Sequence, residues 1–324
     1  MRENIFKLLY LLGTPKVLRL NKHNKLTILS LHRVSFERDF FFDPISPSLF
    51  RQLLEYVKMH YEVITFDEIQ LFSKPTKKPL LILSFDDGYY DFYEYALPIL
   101  RSLNLKSNHN IVNDCANSNS VIWTQRLNSI FNQTRNNKVN LIIDIQDVQY
   151  KCSDFDNNWM KFYLKVFRIL LTFQMTERLE VLKKLESQYS VFTDCRMMNW
   201  DEIVECSNNN VEIGSHTYSH DVISTITNPE FLTKEFELSR IEIESKINKK
   251  VSVLSLPNGQ GDRGLNEVIE KSGFQFLLFV NDDVNKISFN TKNTFEYFNR
   301  INLLNESLPE MILRVENFHH LIRR

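Results

Sequence analysis

The sequence lacks the patterns that would place it in several common classes. No stretch of its 324 residues approaches the roughly 20 apolar residues needed to span a bilayer. Lys and Arg number 39 against 40 Asp and Glu, and no long basic block occurs, so nothing indicates nucleic-acid binding. The 4 cysteines are widely spaced without a Cys-x-x-Cys pair, which argues against a thiolate zinc site.

The N-terminal segment also lacks the features of a signal peptide. Its apolar patch, residues 8–12, is short, and no clear small-residue cleavage site follows it. We therefore expect residues 1–25 to form a helical extension of a cytoplasmic protein. Packing of this patch as a helix is the favoured interpretation, with peripheral contact with a membrane surface as the alternative.

Short apolar runs alternate with helical patterns over residues 26–324. One helix is predicted to begin at Ser46-Pro47, with Ser as the cap and Pro at the first helical position. The alternation predicts an α/β domain with a parallel sheet, open or closed into a barrel. The predicted strands cover residues 26–31, 62–65, 80–85, 211–215, 251–256, 275–280 and 298–303.

The stretch from about residue 125 to 199 breaks this rhythm. It is polar, rich in asparagine and largely helical in pattern, without a clear sheet signal. We interpret it as a helical insertion in the sheet domain rather than an independent domain.

Polar residues follow directly on several predicted strands. They are His32, the pair Asp86 and Asp87, His216, and a turn that contains Asn258. Active sites of barrels and open parallel sheets are built at the carboxyl ends of the strands. We therefore expect these side chains to meet at one end of the sheet.

Each cluster has a structural and a chemical interpretation. Asp86-Asp87-Gly88 is either a strand-ending turn or a base beside a metal ligand. His216 and His220 are either solvated loop residues or ligands that, with Asp87, form a two-histidine-one-carboxylate set. The turn at Asn258 is either simple or a source of backbone N–H groups for an oxyanion.

In this order, the residues resemble the polysaccharide deacetylase family, also called carbohydrate esterase family four. Residues 84–88 (SFDDG) resemble its first motif and residues 216–220 (HTYSH) its second. Residues 31–34 (LHRV) resemble the Tyr-His-x-Val start of many polysaccharide-biosynthesis members, and residues 256–259 (LPNG) resemble their Tyr-Pro-x-Gly motif.

The resemblance implies a distorted (β/α) barrel of about seven parallel strands. It also implies that Asp86 is the general base and that Asp87, His216 and His220 bind a divalent metal, with Zn²⁺ as the expected ion. Water activated at the metal would attack an acetamide, and the backbone N–H of Asn258 would contact the oxyanion.

Two departures from the family pattern concern the base and the acid. The usual Arg before the third-motif proline is missing, since Ser255 and Leu256 stand there, and we assign its role of orienting the base to Arg300. The usual late Leu-x-His motif is not evident, and His319 and His320 lie in a polar tail. We assign the general acid to His32, which otherwise is a structural histidine of the site.

The predicted function is metal-dependent removal of an N-acetyl or similar acyl group from a sugar in cell-surface polysaccharide metabolism. Its partner would be an N-acetylated saccharide or a lipid- or nucleotide-linked sugar. The alternative is a catalytically degenerate barrel that binds carbohydrate. A structural-zinc protein is a weaker alternative, because a closed zinc site needs a fourth protein ligand.

Overall fold

A computed structural model describes residues 2–22, 24–72, 74, 76–118, 120–146, 148–152, 158–193, 195–259, 265–287 and 295–322. Its strands are β1 Lys25–Leu31, β2 Glu62–Val63, β3 Leu80–Phe85, β4 Ser107–Ile111, β5 Leu141–Ile145, β6 Val148–Cys152, β7 Val211–Ser215, β8 Val253–Ser255, β9 Phe276–Val280, β10 Asn285–Lys286 and β11 Glu296–Asn302. Its helices are α1 Arg2–Leu11, α2 Thr14–Arg19, α3 Pro47–His60, α4 Leu97–Leu103, α5 Asn113–Ser118, α6 Trp123–Asn136, α7 Trp159–Leu170, α8 Met175–Tyr189, α9 Trp200–Asn208, α10 Pro229–Thr233, α11 Ser239–Ile247, α12 Asn266–Lys271, α13 Leu308–Val315 and α14 Phe318–Ile322.

Seven parallel strands close into a barrel in the order β1-β11-β9-β8-β7-β4-β3. The ring is completed by β1 and β3, which pair from Leu26 opposite Leu80 to Leu31 opposite Phe85. Outside the ring, β2 extends beside β3, and β10 runs antiparallel to the start of β1. The predicted barrel of about seven parallel strands is confirmed.

Alternate residues of the strands form two separate apolar layers. Leu26, Ile28, Leu80 and Ile82 belong to one buried cluster together with Phe66. The intervening strand residues belong to a second cluster that also contains helical side chains. Because side chains of a strand alternate between its faces, the first cluster fills the barrel and the second lies under the helices. This two-sided burial explains why residues 80–85 are continuously apolar.

Three strand regions were not predicted from the sequence, one of which is the two-residue strand β10. The barrel strand β4, with the sequence SNHNI, was not predicted because it carries almost no apolar residue. Within the predicted helical insertion, β5 and β6 form an antiparallel hairpin from Leu141 opposite Cys152 to Ile145 opposite Val148. The prediction of a largely helical stretch without strands was wrong here, although β5, with the sequence LIIDI, is apolar at four of its five positions.

The insertion has a hydrophobic core of its own. Side chains from α6, α7, α8 and the hairpin form one buried cluster, and Phe131 at its centre has no exposed surface. Phe41, from the loop after β1, joins the same cluster. The insertion is therefore packed as a unit, and that unit includes a residue of a barrel loop.

The N-terminal helices pack on the side of the barrel domain. Phe6 of α1 is buried and its ring contacts Phe318 of α14. Leu8, Leu11 and Leu12 are more than half exposed, so most of the apolar patch in this segment is not packed. Within the described part of the chain, no helix combines the length and the apolar character that crossing a membrane requires.

Candidate metal centre and cleft

Three side chains from two strand ends converge at the carboxyl end of the barrel. Asp87 follows β3 and His216 follows β7, and His220 lies four residues further along the same loop. Asp87 Oδ1 lies 3.2 Å from His216 Nε2 and 3.4 Å from His220 Nε2, and all three residues are buried. Two imidazoles and one carboxylate are a donor set that suits a divalent cation and leaves positions open for other ligands.

A backbone contact orients the first histidine toward this point. His216 Nδ1 lies 2.9 Å from the carbonyl oxygen of Ser255, which can only accept a hydrogen bond. Nδ1 therefore carries a proton, and Nε2 is the ring nitrogen that faces Asp87. Burial alone would raise the pKa of Asp87, but the two histidines hold it well below its usual range. The carboxylate is thus ionised, as a metal ligand must be.

The backbone at this site occupies an uncommon conformation. Asp87, Thr217 and His220 have φ angles of 77°, 67° and 59°, in the left-handed region that side-chain-bearing residues seldom adopt. Such conformations cost free energy and persist only where surrounding contacts impose them. The three residues are therefore held in place by their neighbours rather than by local preference.

Asp86 is held by three side chains from inside the barrel. Arg300 Nη1 donates to Oδ1 at 2.8 Å, and Arg300 Nη2 forms an ion pair with Oδ2 at 2.7 Å. Asn110 donates to Oδ1 at 2.8 Å, and Ser255 donates to Oδ2 at 3.2 Å. Burial opposes ionisation, but Arg300 and, to a lesser extent, His216 lower the pKa of Asp86 below its usual range. Sequence reasoning paired Arg300 with Asp86, and the structure places them in contact.

Asn110 was not identified from the sequence because its strand was missed. It fits beside Gly214 of β7, where an added Cβ would lie 2.1 Å from the Asn110 side-chain oxygen. Asn108 lies two residues earlier and accepts a hydrogen bond from Ser84. The two asparagines at alternate positions were the available sequence signal, since they face the same side of a strand.

His32 and Asn258 line the same cleft as Asp86 and Asp87. His32 contacts Phe42 edge to face at 5.3 Å, and burial lowers its pKa from the usual value. Asn258 lies in the turn Pro257–Gly259 with a φ of 58°. The structure therefore brings together every residue that the sequence assigned to the site.

The cleft has a volume of about 470 Å³ and a wall contributed by the insertion. Tyr163, Leu164 and Phe167 of α7 face the barrel end, together with Phe41 and Phe42 from the loop after β1. A volume of this size, with an aromatic wall that faces a cluster of polar and charged side chains, is typical of a site for a small organic ligand.

A second group of potential ligands, Glu306, Glu310 and His319, has another explanation. Arg314 pairs with Glu306, and Arg2 pairs with Glu310 at 2.5 Å. The two carboxylates are therefore already neutralised by guanidinium groups, and the cluster is an ion-pair network. His319 stacks on Phe6 in this network, outside the residues that line the cleft.

Comparisons with known proteins agree with this geometry. A family model for polysaccharide deacetylase matches residues 153–277, which include His216 and His220 but not Asp86 or Asp87. No curated protein sequence matches the chain significantly.

Several solved structures share the fold. The deacetylase PplD of Streptococcus pyogenes, solved with acetate, is 16% identical, with a TM-score of 0.60 over 90% of this chain and 98% of that one. IcaB of Ammonifex degensii is 16% identical, with a TM-score of 0.58 over 90% and 97%. A de-N-acetylase from Aggregatibacter actinomycetemcomitans is 18% identical, with a TM-score of 0.53 over 90% and 99%.

Proposed function

We propose that this chain is a member of the polysaccharide deacetylase family and a metal-dependent hydrolase that removes an N-acetyl or similar acyl group from a sugar in cell-surface polysaccharide metabolism. The observation that carries the proposal is the adjacency of two differently held carboxylates. Asp86 is fixed by Arg300, while Asp87 faces His216 and His220. One carboxylate is thus available as a base while the other serves as a ligand.

The proposed cofactor is a divalent cation, with Zn²⁺ as the expected ion, held by Asp87, His216 and His220. When bound, it would supply Lewis-acid chemistry that activates water and polarises the acyl carbonyl. The ionised Asp86 accepts a proton from the attacking water, and Arg300 keeps the accepting oxygens in place. The backbone N–H of Asn258 donates to the developing oxyanion.

Cleavage of an amide also requires an acid, because the departing nitrogen must leave as an amine. We assign this proton to the imidazolium form of His32, which lines the cleft beside the two aspartates. Burial lowers the pKa of His32, while the charges of Asp87 and Asp86 oppose this shift and favour the protonated ring. The proton gained by Asp86 and the proton lost by His32 leave the reaction balanced, and exchange with solvent restores both residues.

The relatives support an acetylated substrate. The Aggregatibacter protein is a de-N-acetylase, and the Streptococcus deacetylase was solved with acetate. We propose an N-acetylated saccharide, or a lipid- or nucleotide-linked sugar, as the substrate of this chain. A cytoplasmic location, with peripheral membrane contact through the exposed apolar residues of α1, stays a prediction from the sequence.

Acetate release from a panel of N-acetylated saccharides tests the function. We expect release by the metal-loaded protein and none after EDTA treatment. Asp86→Asn should reduce the rate by about 10²- to 10⁴-fold, the usual contribution of a general base, while it still binds metal. Asp201→Asn, at an exposed aspartate on α9, is the matched control and should retain full activity.

Two other outcomes would contradict the proposal. Saccharide binding without acetate release, with metal bound, would favour the alternative of a degenerate carbohydrate-binding barrel. Unfolding on metal removal would favour a structural metal site.

A further inference from the structure

A single buried arginine joins the insertion to the loop that carries the metal ligands. Arg178, in the first turn of α8, has no exposed surface. Its Nη1 donates to Asp221 Oδ1 at 2.8 Å, and Asp221 directly follows His220. A fully buried guanidinium is costly unless it is paired, so removal of Asp221 would leave a buried charge without its counter-ion.

The same guanidinium also holds the helix that forms the cleft wall. Arg178 Nε donates to the carbonyl of Leu170 at 2.9 Å, and Nη2 donates to the carbonyl of Phe173 at 2.6 Å. Leu170 is the last residue of α7, so Arg178 caps the carboxyl end of that helix. One side chain therefore contacts both the end of the wall helix and the histidine loop.

The loop needs external contacts because its backbone is strained. His220 has a φ of 59°, and its Nδ1 is buried without a hydrogen-bond partner among the described residues. On one side of His220, Glu235 accepts hydrogen bonds from the backbone N–H and hydroxyl of Ser219, at 3.0 Å and 2.6 Å. On the other side of His220, Asp221 is held by its hydrogen-bonded ion pair with Arg178. His220 thus sits between two anchored neighbours.

We propose that Arg178 is a positioning residue that, through Asp221, holds His220 in its ligand position and so couples the packing of α7 and α8 to the affinity of the site for a divalent cation. The proposal rests on the proposed function only in taking such a cation as the ligand. It gives the insertion a second role, since the element that forms the substrate wall also sets the geometry of the metal site.

The test measures metal affinity rather than activity. EDTA-stripped wild type, Arg178→Met and Asp221→Asn are titrated with Zn²⁺ and with Co²⁺ by calorimetry, after circular dichroism has shown that each variant is folded. Both variants should bind about tenfold more weakly or worse, the usual effect of removing a residue that supports a metal ligand. The absorption spectrum of the Co²⁺ form should also change, because the imidazole of His220 would no longer be fixed. Arg178→Lys, which keeps the charge but not the three-way contact, should recover part of the affinity.

The matched control is Arg126→Met. It breaks the Arg126–Glu186 pair, at 2.7 Å within the same insertion, but touches neither Asp221 nor the histidine loop. This variant should bind both ions as tightly as wild type. It therefore distinguishes a general loosening of the insertion from loss of the Arg178–Asp221 contact. Asp221→Asn preserves side-chain volume and keeps the proposal testable if Arg178→Met does not fold.

Wild-type affinity in folded Arg178→Met or Asp221→Asn would overturn the proposal. Equal weakening in Arg126→Met would do the same, because the effect would then belong to the whole insertion. A wild-type protein that binds neither ion would overturn this proposal and the proposed function together. Failure to release acetate, with the expected pattern of affinities, would contradict the proposed function alone.

Discussion

At the scale of single residues, the position of Asp86 depends on Gly214, which has no side chain. Gly214 leaves room for Asn110, whose amide donates to Asp86. In Gly214→Ala the added methyl would lie 2.1 Å from the Asn110 oxygen and 3.1 Å from Val253 Cβ, so Asn110 must move. We expect destabilisation by about 1–3 kcal/mol, as for other overpacked interiors, and a fall in kcat with metal binding retained. Urea unfolding and steady-state kinetics measure both effects.

The double variant Gly214→Ala with Asn110→Ala identifies the cause. If the steric conflict is responsible, stability should partly recover because the clashing amide is gone. Activity should stay low because Asp86 has still lost a hydrogen-bond donor. A Gly214→Ala protein with wild-type kcat would show that Asn110 does not position the base.

The site residues could be predicted from the sequence where they directly follow an apolar strand. Asp86, Asp87 and His216 stand at such boundaries, and the structure gathers them at one end of the barrel. Their catalytic and ligand roles stay predictions. Asn110 could not be predicted in the same way, because its strand is polar and the hydrogen bonds that make a polar strand tolerable are visible only in three dimensions.

At the scale of elements, the insertion forms one wall of the cleft. Phe131 of α6 packs against the rings of Phe41 and Tyr163, with centroids 5.4 Å and 5.3 Å away, and both of those rings line the cleft. Phe131→Ala should cost about 3–5 kcal/mol of unfolding free energy, as buried Phe→Ala changes do. We also expect KM to rise more than kcat falls, since the wall shifts while Asp86 does not. Denaturant unfolding and kinetics on the same preparation would show this.

Leu182→Ala is the control for this prediction. Leu182 is equally buried in the same cluster, on α8, but it does not line the cleft. It should lower stability with little change in KM. Equal changes of KM in the two variants would contradict a specific role for the ring contacts.

Apolar strands that are buried on both sides could be predicted from the sequence as continuous apolar runs, whereas β4, which is equally buried but polar, could not. In the hairpin, β5 carries an apolar signal that the polar residues around it obscured, whereas β6 is mostly exposed and carries Gln149 and Lys151. The closure of the sheet into a ring was left open by the strand pattern and came from the family resemblance. It depends on the pairing of β1 with β3, which skips β2.

At the scale of the whole molecule, the buried imidazole of His109 should make the free energy of unfolding depend on pH. Its ring packs against Phe85 and Phe92, at 5.8 Å and 4.3 Å, and burial lowers its pKa to about 4. Between pH 6.5 and about 4, the unfolded chain binds a proton that the folded protein does not, so acid favours unfolding. The loss over this window should reach about 3 kcal/mol, at 1.36 kcal/mol for each pKa unit.

In His109→Phe this contribution should disappear. The variant removes the titrating group and keeps a ring of similar shape beside Phe85 and Phe92. The difference in unfolding free energy between variant and wild type, measured by urea at pH 7.5, 6 and 4.5, should grow in favour of the variant as the pH falls. A constant difference across these three values would contradict the assignment.

The closure of the barrel has a consequence for the order in which the molecule can form. Asp86 comes from the third strand of the chain, but Arg300, which fixes it, comes from the last, and β11 must also dock against β1. During synthesis the first two-thirds of the chain therefore leaves the ribosome with an open sheet and an unpaired carboxylate. Contacts of such long sequence separation form late and slowly. We therefore expect Asp86, the proposed base, to gain its partner Arg300 only when the ring closes.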